Sequence, residues 1–156
     1  IKVLNGNLYR NIEWPVVVML AAMIPVGQAL ETSGISLNIA NFISASTEGM
    51  ALPWLILMVL VITMFVSDIV NNAATAVIMA PIAANLAIQV GQPVEPFLMA
   101  VAVGASCAFL SPIGHQCNTL VMAPGNYKFG DYWRLGLPLE CVIVAISIPM
   151  ILFVWT

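Results

Sequence analysis

Charge is what this 156-residue chain has least of: 7% of its residues are Asp, Glu, Lys or Arg, with four Lys and Arg in all. An average soluble domain carries roughly a quarter. There is one histidine, so no cluster of imidazoles can hold a metal, and no basic stretch offers a surface to nucleic acid. The three cysteines, Cys107, Cys117 and Cys141, are odd in number and sit in or beside apolar runs. They read as small buried hydrophobes rather than a disulfide framework. No Met and no charged leader precede the opening Ile-Lys-Val-Leu, which is read as an internal start within a longer polypeptide. What remains is 62% hydrophobic, with a mean hydropathy of +1.03. That composition belongs in a bilayer.

The apolar runs are broken in two informative places. Residues 67–81 read Ser-Asp-Ile-Val-Asn-Asn-Ala-Ala-Thr-Ala-Val-Ile-Met-Ala-Pro, a polar cluster between two long apolar arms. Two adjacent asparagines are costly in hydrocarbon unless the backbone is broken there and its freed groups face a ligand. A second interruption, Ser111-Pro112-Ile113-Gly114-His115-Gln116-Cys117-Asn118, splits the next run. Paired interruptions of this kind suggest a transporter core.

The remaining punctuation predicts an all-α membrane protein. A first span covers 15–31, with Trp14 at the interface and Pro15 in the first helical turn. After Thr32-Ser33-Gly34, residues 35–46 are short and amphipathic, which suits an interfacial helix closed by Glu48-Gly49. Residues 52–91 form a helical hairpin with its polar tip at Ser67–Asn72. Length alone leaves a re-entrant and a fully spanning hairpin both open. Residues 96–125 form a broken helix: a small-residue-rich helix to Leu110, a break over 111–118 and a short second half. Residues 133–155 form the last span, with aromatic residues at both edges. With the hairpin returning to its own side, Lys2, Arg10, Lys128 and Arg134 share one face, which the positive-inside rule makes cytoplasmic.

The succession resembles the C-terminal half of the divalent-anion/sodium symporters, which carry dicarboxylates, citrate or sulfate. The resemblance rests on Glu13-Trp14-Pro15, Asn71-Asn72-Ala73-Ala74-Thr75-Ala76, Gly104-Ala105-Ser106-Cys107-Ala108-Phe109 and Tyr132-Trp133-Arg134-Leu135-Gly136-Leu137-Pro138. Ser-Pro-Ile-Gly-His-Gln at 111–116 is most similar to the sulfate-type permease branch, which bears cytosolic regulatory domains. The resemblance implies two inverted repeats, each with a hairpin and a broken helix, so an N-terminal partner repeat of the full-length polypeptide is expected beyond these 156 residues. It makes 52–91 a re-entrant hairpin entering from outside. It also implies sodium as the coupling ion with no other cofactor, held by the Ser67 hydroxyl, the Val70 and Gly114 carbonyls and Asn72. The anion is expected at Asn71, Asn72, Ala73, His115, Gln116 and Asn118. A multi-pass protein of the plasma (inner) membrane, dimeric as this family commonly is, completes the expectation.

Two departures bear on specificity. The tip keeps only the central asparagine of the family's Ser-Asn-Thr, and the facing loop keeps Asn118 but neither proline. Neutral donors in a reshaped loop suit a compact tetrahedral oxyanion, so a sulfate-like anion is expected ahead of a dicarboxylate. Asp68 is the one acid near the tip, open to three readings: a proton or cation site, a water-facing group, or the partner of a residue elsewhere. Glu140 reads as an interface pair or lipid-edge residue. The rival functions are a cation/proton antiporter of the same superfamily, using Asp68, and a membrane anion sensor.

Overall fold

A computed structural model describes residues 14–47 and 49–155, without the side chains of residues 14–16, 19, 20, 23 and 116. The expectations placed on residues 1–13, including Lys2 and Arg10, and on Glu48 lie outside the described residues. Seven helices follow one another: α1 (Trp14–Thr32), α2 (Ile35–Ser46), α3 (Leu52–Ile69), α4 (Asn72–Gln89), α5 (Glu95–Ser106), α6 (Gln116–Met122) and α7 (Phe129–Trp155). Among the described residues, α3, α4 and α7 are long and apolar enough to cross a membrane. The chain is an all-α membrane protein.

The hairpin arms are equal because their boundaries are chemical. Pro53 starts α3, and Val70 ends it with φ −97° and ψ −90°, outside the helical region. Asn71 then adopts an extended backbone and caps α4, its Oδ1 accepting the Ala74 N–H at 2.8 Å. Each 18-residue arm is about 27 Å long.

Packing centres on the hairpin and α5. Leu55, Ile56, Val59, Leu60 and Met64 of α3 are buried with Phe97, Ala100 and Val101 of α5 and Ile82, Ala83 and Leu86 of α4. The close approach depends on small residues, as helix association in lipid generally does. A Cβ on Gly104 would lie 2.9 Å from both the Leu60 carbonyl oxygen and the Thr63 Cβ, so α5 rests on α3 backbone to side chain. Helix α2 meets α4 through its small side, Ser36 and Ala40. The Asn85 amide donates to Ser36 Oγ at 3.4 Å, while Leu37, Ile39 and Phe42 stay exposed.

The broken helix differs from its sequence outline. Helix α5 stops at Ser106, four residues before Leu110, and α6 already contains Gln116, Cys117 and Asn118. The reason is tertiary. The Leu110 N–H is taken by Asp68 Oδ1 at 3.0 Å, and the Ala108 carbonyl by the Asn118 amide at 2.8 Å, so this stretch has partners other than its own helix. The last helix likewise begins at Phe129 rather than 133, because Asp131 Oδ2 accepts the Lys128 N–H at 2.8 Å and closes its first turn.

Candidate functional site

The two interruptions meet. Ser67, in the last turn of α3, is fully buried, with its hydroxyl 2.8 Å from the Ala105 carbonyl oxygen at the end of α5 and 3.0 Å from Asn72 Oδ1. A hydroxyl has one proton, and a carbonyl can only accept. Both contacts are satisfied together when Ser67 donates to Ala105 and the Asn72 amide is turned to donate back, since amide orientation is assigned from the network. The other orientation leaves Asn72 Oδ1 beside the Ser67 oxygen, a pair suited to a cation.

Gly114 closes the cluster from the other interruption. A Cβ at this position would lie 2.7 Å from the Ala108 Cβ, 2.9 Å from the Ser67 carbonyl oxygen and 3.0 Å from the Asp68 Cα. Two of those neighbours are backbone, so nothing larger than glycine fits without moving the tip. Ser111 stitches the same junction, its Oγ donating to the Asp68 carbonyl at 2.6 Å and accepting the Ile113 and Gly114 N–H groups at 3.2 and 3.1 Å.

Asn71 leaves useful groups free. Because its side chain takes the Ala74 N–H, the Val70 carbonyl accepts no hydrogen bond among the described residues. The Gly114 carbonyl is likewise unengaged, as are the N–H groups of Asn72 and Ala73 at the start of α4. Ser67, Asn72 and Gly114 thus come together where two helices are broken, the Val70 and Gly114 carbonyls there are unengaged among the described residues, and the α4 N-terminus presents N–H donors.

The loop residues divide. His115 is exposed and caps α6, its Nδ1 accepting the Cys117 N–H at 3.2 Å, which puts the proton of a neutral ring on Nε2. The Asn118 Nδ2 donates to the Ala108 and Ser111 carbonyls at 2.8 and 3.0 Å. Both of its donors are spent holding the break closed, and only Oδ1 is left to face a ligand. Gln116 opens α6 next to His115. Sequence reasoning passed over Ser111 and gave Glu140 a peripheral place. For Ser111 the signal was present, a hydroxyl directly before Pro112 in a turn. For Glu140 it was an acid 11 residues inside an apolar helix.

The citrate transporter family matches the sequence over residues 3–104 and again over 49–156. The chain belongs to this family. Among its relatives, an uncharacterized transporter of Synechocystis sp. is 38% identical over 94% of this chain and 24% of its own length. A probable sodium/sulfate cotransporter of Chlamydomonas reinhardtii is 32% identical over 92% of this chain and 16% of its own. A sodium-dependent high-affinity dicarboxylate transporter of Caenorhabditis elegans is 31% identical over 90% of this chain and 25% of its own. The family and these relatives are transporters, not enzymes, and they fit the divalent-anion/sodium symporter resemblance. The chain spans about a quarter or less of the relatives' lengths.

Proposed function

We propose that this chain is one ion- and anion-binding half of a secondary transporter that takes up a divalent anion with sodium, and that the anion is sulfate-like. The observation that carries the reading is the junction of the hairpin tip with the broken helix. Ser67, Asn72 and Gly114 meet there, and the Val70 and Gly114 carbonyls have no partner among the described residues. Sodium is a hard cation that uncharged oxygens can satisfy, and ordering the tip around it completes the anion donors. The ion and the anion are then coupled through their shared preference for one state of the tip.

The sulfate-like preference is supported by the neutral loop donors and by the sodium/sulfate name of one relative. The dicarboxylate transporter's similar identity makes succinate the competitor to test. An inverted N-terminal repeat of the full-length polypeptide supplies the facing half of the site. The full protein acts as a dimer in the plasma (inner) membrane.

The test is radiolabelled uptake by the full-length protein in proteoliposomes, with sulfate and succinate compared in sodium and in potassium. Sulfate uptake that needs inward sodium and resists excess succinate is expected. Succinate displacing sulfate at lower concentration would reassign the anion, and uptake indifferent to sodium would remove the coupling ion.

A further inference from the structure

Two acids near the break are unexplained by the site above. Asp68 is 6% exposed; its Oδ1 accepts the Leu110 N–H at 3.0 Å, but its Oδ2 is buried with no partner. Glu140 stands 11 residues into α7, about 16 Å along the axis, and its Oε1 is also buried without a partner. The backbone donor beside Glu140 is the Phe109 N–H, and Glu140 lines one cavity with Leu110, whose N–H Asp68 takes. One turn before Glu140, Gly136 is seated on the next peptide, where a Cβ would collide with the Phe109 carbonyl oxygen. The hairpin and α7 thus grip adjacent peptide units of the break, each with a carboxylate that has an oxygen to spare.

Among the described residues the Lys and Arg side chains, Lys128 and Arg134, are both exposed. Helices α3 and α5 and the break between α5 and α6 contain neither Lys nor Arg, and His115 is exposed. Arg134 is exposed and precedes Glu140 by six residues, about 9 Å along α7. Two uncompensated carboxylates at this depth are expensive. The break also frees the carbonyls of Cys107, Phe109 and Leu110, which accept no hydrogen bond among the described residues. The donors gathered here are all hard oxygens, two of them anionic, the chemistry of an alkali or alkaline-earth ion rather than of a transition metal.

We propose that Asp68 and Glu140, with carbonyls freed by the break, hold an alkali cation at a site separate from the Ser67–Asn72–Gly114 cluster. The identity of the ion as sodium rests on the sodium-coupled reading; the existence of the site does not. The two sites differ in what they tie together. The Ser67 cluster draws only on the hairpin and the adjoining loop, whereas this one brings in α7.

Equilibrium binding of radioactive sodium to the purified full-length protein tests it, comparing wild type, Glu140→Gln, Ser67→Ala and the double variant. Glu140→Gln keeps the shape of the side chain and removes its charge. It is expected to lose one bound sodium per protomer, or to weaken that component at least about tenfold, while keeping the component that Ser67→Ala removes. The double variant should lose both. Should Glu140→Gln fail to fold, Glu140→Asp replaces it: the charge stays but the reach shortens, and weakening of the same component is expected. Unchanged sodium number and affinity in whichever Glu140 variant folds would overturn the site and leave the first intact. So would displacement of the Glu140-dependent ion by magnesium or calcium but not by lithium. A wild type that binds no sodium would overturn the sodium-coupled reading, and one that binds neither lithium nor potassium either would overturn this site as well.

Discussion

On the proposed sodium-coupled function Ser67 has two jobs that pull in different directions, and a substitution separates them. Its hydroxyl ties α3 to the Ala105 carbonyl and stands beside Asn72 Oδ1. Ser67→Ala removes a ligand oxygen and leaves one carbonyl without its donor, a structural cost of about 1 kcal/mol. The half-saturating sodium concentration is expected to rise while the protein still reaches the membrane. An unchanged sodium dependence, with only a lowered melting temperature, would leave Ser67 a helix-tying hydroxyl. Gly114→Ala works by volume instead. Its Cβ would sit 2.9 Å from the Ser67 carbonyl oxygen and 3.0 Å from the Asp68 Cα, so the loop and tip must part. A loss of about 1–3 kcal/mol is expected in thermal unfolding, with sodium affinity reduced alongside it. For Gln116, beside the exposed His115, the expected effect is on the anion. Gln116→Ala should weaken sulfate binding by about 1–3 kcal/mol if a hydrogen bond to a charged group is lost. Unaltered competition by sulfate would remove Gln116 from the site.

Among the helices, the α3–α5 contact is the one most open to test. Gly104→Val would drive a branched side chain into the Leu60 carbonyl and Thr63 at a point where the uncharged Cβ alone is already at 2.9 Å. The expected outcome is a detergent-solubilised protein destabilised by about 1–3 kcal/mol, read as a lowered melting temperature. Retained stability would mean that the helices can separate without loss. The same elements show what a sequence can reveal. The hairpin tip was legible because Asn71 and Asn72 interrupt hydrocarbon, and the cap of α4 follows from Asn71 alone. The break near Gly114 was legible from Pro112 and the polar run. Its true limits were not, because Ser106–Leu110 is apolar enough to continue a helix. What unwinds it are Asp68 and Asn118, residues 42 and 10 positions away from their partners. The surroundings of Glu140 were hidden for the same reason: only folding puts it beside the Phe109 peptide.

At the scale of the molecule the open matter is sidedness. All four Lys and Arg fall in residues 1–13 or 126–134, and from the positive-inside rule both stretches are expected in the cytoplasm and residues 44–50 outside. Ser46 and Lys128 are both exposed, so each can report. With single cysteines there in a Cys-free full-length background, an impermeant maleimide applied to intact cells should label position 46 and spare position 128. Equal labelling of both from outside would refute the arrangement.

Gly114 also sets a limit on how this protein can change by descent. Every base substitution that alters a glycine codon to another amino acid adds at least one carbon where two backbones already touch. No neighbouring genotype is a gentle step, so variation must go around the position rather than through it. Next to it, the Ile113 side chain is exposed and takes no part in the cluster, so it has room to drift. A library covering residues 111–119 of the full-length carrier, selected for uptake, should therefore return many residues at 113 and one at 114.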